Sequence, residues 1–251
     1  MTEVLGDAVR WLNDPLSWTG PRGALTLLGD HLWMTLVAVV LAAAVGLPLG
    51  AWLSRLRRGG AVVVSAANVS RAVPTLALLY IFTAGMGLGQ WPTILAVAIF
   101  AVPPILSNTY TGLQQVDPAA RDAGRGMGMS PVQLLLAVEL PLALPLIAAG
   151  LRTAVVQVVA TVPLAALVGG GGLGLIITNG IFTQRYGQAL AGAVLVMLLA
   201  LGVEGLLAAA QRLLGRRPSR RLPGAPAEQA PGTRSGGPAL AHRGPPRSNE
   251  R

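Results

Sequence analysis

The feature that most constrains this chain is a series of five apolar stretches, each near or beyond the ~18–20 residues that cross a bilayer as a helix. They fall at residues 33–53, 61–86, 92–113, 142–168 and 188–209. The second is broken by Pro74, and a kink is expected in the third at Pro103 and Pro104, because proline brings no N–H to a helix. Trp33 and Trp52 stand near the two ends of the first stretch, where interfacial anchors belong. Apolar residues make up 53% of the chain and charged residues 12%, with a mean hydropathy of +0.60. The fold class read from this pattern is an all-α polytopic membrane protein of about five transmembrane helices.

Charge sets the expected orientation. Of the net +9, +7 lies in residues 211–251, which carry nine arginines against two acids. That tail is rich in Gly, Pro and Ser without apolar periodicity, so it reads as disordered. Its arginines read as cytoplasmic flanks that fix topology, and no nucleic-acid partner is inferred. The loop after the first stretch carries Arg55, Arg57 and Arg58, which places it in the cytoplasm by the positive-inside rule. Alternation then puts 85–91 outside, 114–141 inside, 169–187 outside and the tail inside. The N-terminus, with Glu3, Asp7, Asp14 and Asp30 against Arg10 and Arg22, falls outside, and no cleavable signal peptide is expected. The expected divisions are an extracytoplasmic segment at 1–31, a transmembrane domain at 32–210 with a cytoplasmic loop at 114–141, and the tail.

That loop is the longest interruption between apolar stretches, and it reads as two short helices hinged on a glycine. Asp117 caps a helix with Pro118 in its first position, where a missing N–H costs nothing. The helix meets Gly128, the residue best suited to a left-handed C-terminal cap. A second helix begins with Ser130 as N-cap, Pro131 in first position and Gln133 completing a capping box. The first helix sets a polar face of Arg121, Asp122 and Arg125 beside a strip of small or flexible residues, Ala120, Gly124 and Met127. A knob of this form between membrane helices is suited to docking into another protein.

At these residues the chain resembles the permease subunits of bacterial ABC importers. Their signature is EAA, three residues, Gly, nine residues, then Ile-x-Leu-Pro. Here Asp122, Ala123 and Gly124 hold the EAA positions, Gly128 is the glycine, and Val138, Glu139, Leu140 and Pro141 follow at the same spacing. Asp replaces Glu at 122 and Gly replaces the second Ala at 124. The runs PPILSNTYTGLQQVDP from Pro103, GRGMGMS from Gly124, VELPLALPLI from Val138 and GGGGLGLII from Gly169 are similar to the osmoprotectant branch, which imports glycine betaine, choline or carnitine. The resemblance spans about 32–209. It implies that Arg121, Asp122, Ala123, Gly124, Gly128, Leu140 and Pro141 form the cytoplasmic coupling helix and its root, held in a groove of an ATPase subunit. It also implies two permease copies, or one copy and a related permease. Some members of the branch carry a binding domain fused after the last span; here only the short tail follows, so solute capture is expected from a separate extracellular binding protein.

Other residues bound what this chain does itself. All 19 basic residues are arginine. With no lysine there is no G-x-x-x-x-G-K-[ST] phosphate loop, so the chain is not expected to be an enzyme, and ATP and Mg belong to the partner. No cofactor or metal is expected: cysteine is absent, His31 precedes the first stretch and His242 lies in the tail. The glycine run at 169–174 reads either as a connection into a partial, re-entrant helix near an outer gate or as a plain external loop.

Thr153, Gln157 and Thr161 share one face of the fourth span, as pathway lining or as hydrogen bonds between helices. Arg152, near the cytoplasmic half of that span, is expected to snorkel toward headgroups. Residues 61–70 are read as lying along the cytoplasmic surface with Arg71 as a boundary anchor; otherwise Arg71 and Asn68 enter the bilayer. Glu204, inside the fifth stretch, is either paired with an arginine or part of a gate. Aromatic residues, which cage quaternary ammonium groups, are only 4% of the chain, so high-affinity capture is expected elsewhere. The function expected is the permease subunit of an ATP-driven importer for osmoprotectants. The alternatives are an ABC permease for an amino acid such as methionine, or an ion-coupled carrier without an ATPase.

Overall fold

The computed structural model describes residues 2–56, 60–69 and 72–215. Arg57, Arg58, Arg71 and the tail from Arg216 on, with His242, lie outside the described residues. Those described are all-helical, with no strand among them. The elements are α1 (Thr2–Asn13), α2 (Ala24–Ser54), α3 (Gly60–Val69), α4 (Thr75–Met86), α5 (Gln90–Gln114), α6 (Pro118–Gly126), α7 (Pro131–Leu134), α8 (Leu140–Thr161), α9 (Gly174–Phe182) and α10 (Tyr186–Gly215). Four are long and apolar enough to cross a membrane: α2, α5, the run from α7 through α8 to Val168, and α10.

α5 is the axis of the bundle, packed on one side by α2 and on the other by α8. Its small residues Ala98 and Ala101 and the branched Val97 and Ile105 meet Ala38, Ala42, Ala154 and Val158 in the largest buried cluster. Glycines bring the backbones close, as membrane helices need when apolar side chains gain nothing over lipid. A Cβ on Gly150 would stand 2.5 Å from Asn108 Cβ, and one on Gly50 would stand 2.8 Å from the Leu106 carbonyl oxygen. α10 lies outermost and buries no side chain from 193 to 213.

The expected second span is two half-length helices, α3 and α4. Gly60 abuts Tyr110, Val64 packs with Leu106, and Asn68 Nδ2 donates to Ser107 Oγ at 3.5 Å. Thus α3 packs against one turn of α5, at Leu106, Ser107 and Tyr110. α4 continues beside the other half of α5, with Leu79 against Ala96 and Val168. Two other boundaries differ from expectation. The helix of the first span starts at Ala24, so His31 and Trp33 lie inside it and not at its edge. The last helix continues to Gly215, which makes the start of the expected tail helical. The N-terminal segment packs into the bundle: α1 crosses the first turn of α10, with Asp7 and Ala8 against Gly187.

Prolines inside long helices leave carbonyls without their usual donor four residues on, and in lipid each needs another. Pro104 offers no N–H to the Phe100 carbonyl, and Gln157 Nε2 from α8 donates to that oxygen at 3.3 Å. Pro163 leaves Val159 in the same position, and the fully buried His31 places Nε2 3.0 Å from its oxygen. Because a carbonyl only accepts, His31 carries its proton on Nε2. From Val162, one residue before Pro163, the helix narrows to a 3-10 turn (Val162–Val168) and ends at glycines in left-handed backbone, Gly169 (φ 72), Gly171 (φ 87) and Gly172 (φ 74). The short α9 follows, a partial helix packed on α10.

If Gln157 serves the carbonyl that Pro104 orphans, Gln157→Leu leaves a partly buried acceptor unmet, at a cost of about 1 kcal/mol. Adding Pro104→Ala supplies a backbone N–H, and the double variant regains stability. Thermal unfolding of the purified protein in detergent checks this; a double variant no more stable than Gln157→Leu contradicts it.

Candidate functional site: a capped helix at the root of the bundle

Local rules build the loop between α5 and α8. Asp117 Oδ1 accepts from the Ala119 N–H at 2.8 Å and caps α6, with Pro118 first in the helix. At its end the Gly128 N–H donates to the Arg125 carbonyl at 2.9 Å, and the Met129 N–H to the Gly124 carbonyl at 3.2 Å. This paired closure is a Schellman cap, and it requires the left-handed backbone seen at Gly128 (φ 78). Ser130 then opens α7 with both bonds of a capping box: the Gln133 N–H to Ser130 Oγ at 3.3 Å and the Ser130 N–H to Gln133 Oε1 at 2.9 Å.

The second helix is not free-standing, as the sequence reading had it. α7 runs through a π-helical turn (Leu135–Glu139) directly into α8, so it is the root of the fourth span. The reason lies in Pro141: its ring crowds the carbonyl four residues back, at Ala137 inside the turn, and widening the turn relieves that contact. The Leu140 N–H accordingly reaches five residues back, to the Leu135 carbonyl. Leu140 and Pro141 thus stand in the first turn of α8, just past the wide turn.

α6 turns one face in and one out. Gly124 is buried, and a Cβ there would stand 2.5 Å from Leu134 Cδ1 of α7. Ala123, Asp122, Arg125 and Met127 face outward, and Arg125 Nη1 donates to Asp122 Oδ1 at 3.2 Å across the exposed surface. Arg121 departs from the expected outward polar face. It points inward, donating through Nη2 to the Leu113 carbonyl at the end of α5 and placing Nε 3.1 Å from Glu139 Oε1. That Nε contact has ion-pair distance without hydrogen-bond alignment.

Glu139 is the residue that sequence reasoning passed over. Its side chain is 3% exposed, and Oε2 accepts from Arg55 Nη2 at 2.5 Å. One carboxylate therefore binds Arg55 just past α2, Arg121 on α6 and the wide turn below α8. A buried carboxylate stripped of such partners costs about 3–5 kcal/mol. A lone acid between apolar neighbours in AVELP was the available signal. Gln114 Nε2, donating to the Ser54 carbonyl at 3.0 Å, ties the ends of α5 and α2 at the same level.

The three polar residues on the face of α8 separate. Thr153 and Thr161 return their hydroxyls to the Ala149 and Gln157 carbonyls of their own helix, and Gln157 reaches Phe100. Thr153 and Gln157, but not Thr161, line an open groove of about 560 Å³ between α8 and α10, together with Arg152, Glu204 and Gln211. Arg152 does not snorkel outward: it pairs with Glu204 through Nη2, donates through Nε to the same carboxylate at 3.0 Å, and bonds Gln211 Oε1 at 3.0 Å. Glu204 therefore has the arginine partner that was one of its two readings. No cluster of metal-ligating side chains occurs among the described residues.

Known proteins share this architecture. The sequence model of the binding-protein-dependent transport system inner membrane component family matches residues 38–220. The chain is 38% identical over 193 residues to the choline transport system permease protein OpuBB of Bacillus subtilis, covering 77% of this chain and 89% of that protein. It is 39% identical over 187 residues to the osmoprotectant import permease protein OsmW of Salmonella typhimurium, covering 72% and 87%. Its fold is similar to a chain of the MetNI methionine ABC transporter in an inward-facing conformation, with a TM-score of 0.69 at 23% identity over 80% of this chain and 99% of that one.

The cap at Gly128 has open space around it, so a substitution there is governed by backbone strain. Gly128→Val places a β-branched residue in left-handed backbone at a cost of about 1–2 kcal/mol. Gly128→Asn, which tolerates that region, costs less. Trypsin cleavage after Arg125 should accelerate in the valine variant and not in the asparagine variant; equal rates in both contradict the strained cap.

Proposed function

This chain belongs to the family of binding-protein-dependent transport system inner membrane components, and we propose that it is the permease subunit of an ATP-driven importer for osmoprotectants of the glycine betaine, choline and carnitine kind. The observation that carries the ATP-driven part is the capped helix α6. It presents Asp122, Ala123, Arg125 and Met127 outward at the end of the bundle where Arg55 lies, while its inner face is tied to the end of α5 through Arg121 and, through Glu139, to the turn below α8. The solute class rests on the relatives: OpuBB is a choline permease, and OpuCB of Bacillus subtilis, 39% identical over 184 residues, is a glycine betaine/carnitine/choline permease. Amino-acid cargo has only the fold likeness to the methionine transporter behind it, and no observation favours an ion-coupled carrier.

In this reading the arginine-bearing end faces the cytoplasm, by the positive-inside rule, and the N-terminus lies outside. The outer face of α6 enters a groove of a cytoplasmic ATPase subunit, which holds the ATP and Mg that this lysine-free chain has no phosphate loop to bind. Asp122, Ala123, Arg125 and Met127 form the contact. Gly124 and Gly128 set the shape of the helix behind it, and Leu140 and Pro141 form the root that receives its movement. Closure of the ATPase then shifts the bundle between outward- and inward-facing states.

A second permease, identical or related, completes the pathway against the exposed α8–α10 side. The groove there has no aromatic residue in its lining, which supports low-affinity passage here and capture by a separate extracellular binding protein.

The test is uptake of labelled glycine betaine, choline and carnitine in a host without osmoprotectant uptake of its own. The host carries the complete importer with or without this gene. Uptake of at least one solute should depend on the gene and fall at least tenfold with Gly128→Val. Gene-dependent uptake of methionine, with none of the three solutes transported, would overturn the solute assignment.

A further inference from the structure

We propose that Glu139 is a positioning residue that carries displacement of α6 into α2 and α8 together, acting as a carboxylate clasp between the coupling helix and two spans. The proposal rests on α6 being the ATPase contact. α6 is a nine-residue helix whose principal packing is on α7 and the wide turn, through Gly124 against Leu134. Its charged link to the bundle is Arg121, and that link ends on Glu139 and on the Leu113 carbonyl.

Glu139 divides its two oxygens. Oε1 faces Arg121, while Oε2 accepts from Arg55 at 2.5 Å. A push on the outward face of α6 moves Arg121. The carboxylate follows, carrying the wide turn on which it is mounted and, through Arg55, the end of α2. The wide turn is the pliable point in this path, because a π-helical turn sits between two α-helical registers. Arg55 is 39% exposed on its side chain, so one end of the clasp is wet and free to rotate, while Glu139 and Arg121 are held inside.

The test uses the complete importer reconstituted in vesicles with its ATPase and binding protein, measuring solute moved per ATP hydrolysed. Glu139→Gln keeps the shape and removes the charge. The ratio should fall at least tenfold while the ATPase still co-purifies, and Glu139→Asp should retain an intermediate ratio. An unchanged ratio in Glu139→Gln overturns the proposal.

If Glu139→Gln fails to fold, the triple variant Arg55→Gln/Arg121→Gln/Glu139→Gln removes every charge of the cluster and leaves no unpaired ion. A folded triple variant with the parent ratio overturns the proposal, because the charges then serve folding alone; a ratio reduced at least tenfold supports it. The reading of α6 itself fails separately. If Asp122→Arg/Arg125→Glu on its outer face leaves ATPase association and the transport ratio unaltered, α6 is not the ATPase contact.

Discussion

A carboxylate in an apolar setting is stable only when cations and donors surround it, and Glu139 has both its oxygens engaged by arginines from other elements. The lower half of the structure is arranged around that requirement. Arg55 must lie just past α2, α6 must turn Arg121 inward, and the helix below α8 must widen at Leu135–Glu139 for the carboxylate to face both. The loop between the third and fourth spans is consequently a fixed part of the bundle. Its outer face is exposed, and its inner face is tied to the end of α5 and, through Glu139, to Arg55 and the root of α8.

The same economy governs the upper half. A bilayer offers no water to a free carbonyl, and prolines at 104 and 163 create two of them. Gln157 answers one from α8 and His31 answers the other from α2, so each proline becomes a junction between spans. Pro163 also ends the α-helical course of the fourth span and releases it into the glycine turn before α9. That turn bonds back to α5 through the Gly89 N–H and the Val168 carbonyl at 3.1 Å.

Local rules were legible in the sequence. Asp117 and Ser130 cap the helices assigned to them, and Gly128 takes the left-handed conformation that its place between two helices requires. Each depends on neighbours within a few residues. The expectations that failed turned on partners far along the chain. The local sequence makes Arg152 a snorkelling side chain, because its partner Glu204 is 52 residues away. Nothing near His31 in the sequence gives it a task, and Val159, 128 residues on, does. The local pattern sets Arg121 on the docking face, because its inward partner Glu139 comes beside it only once α7 and α8 form one helix. Composition could not show that continuity, since the π-helical turn depends on how Pro141 packs against the preceding turn.

The central claim is that the outer face of α6 is where an ATPase takes hold. The chain contains no cysteine, so a single one can be placed at will. Met127 is 70% exposed on that face, and Phe182 is 78% exposed at the opposite end of the bundle. Cross-linking each single-cysteine variant, Met127→Cys and Phe182→Cys, within the assembled importer tests the claim most directly. The account predicts a product joining Met127→Cys to the ATPase subunit and none from Phe182→Cys. A product from Phe182→Cys, or none from Met127→Cys in an assembly that still transports, would contradict it.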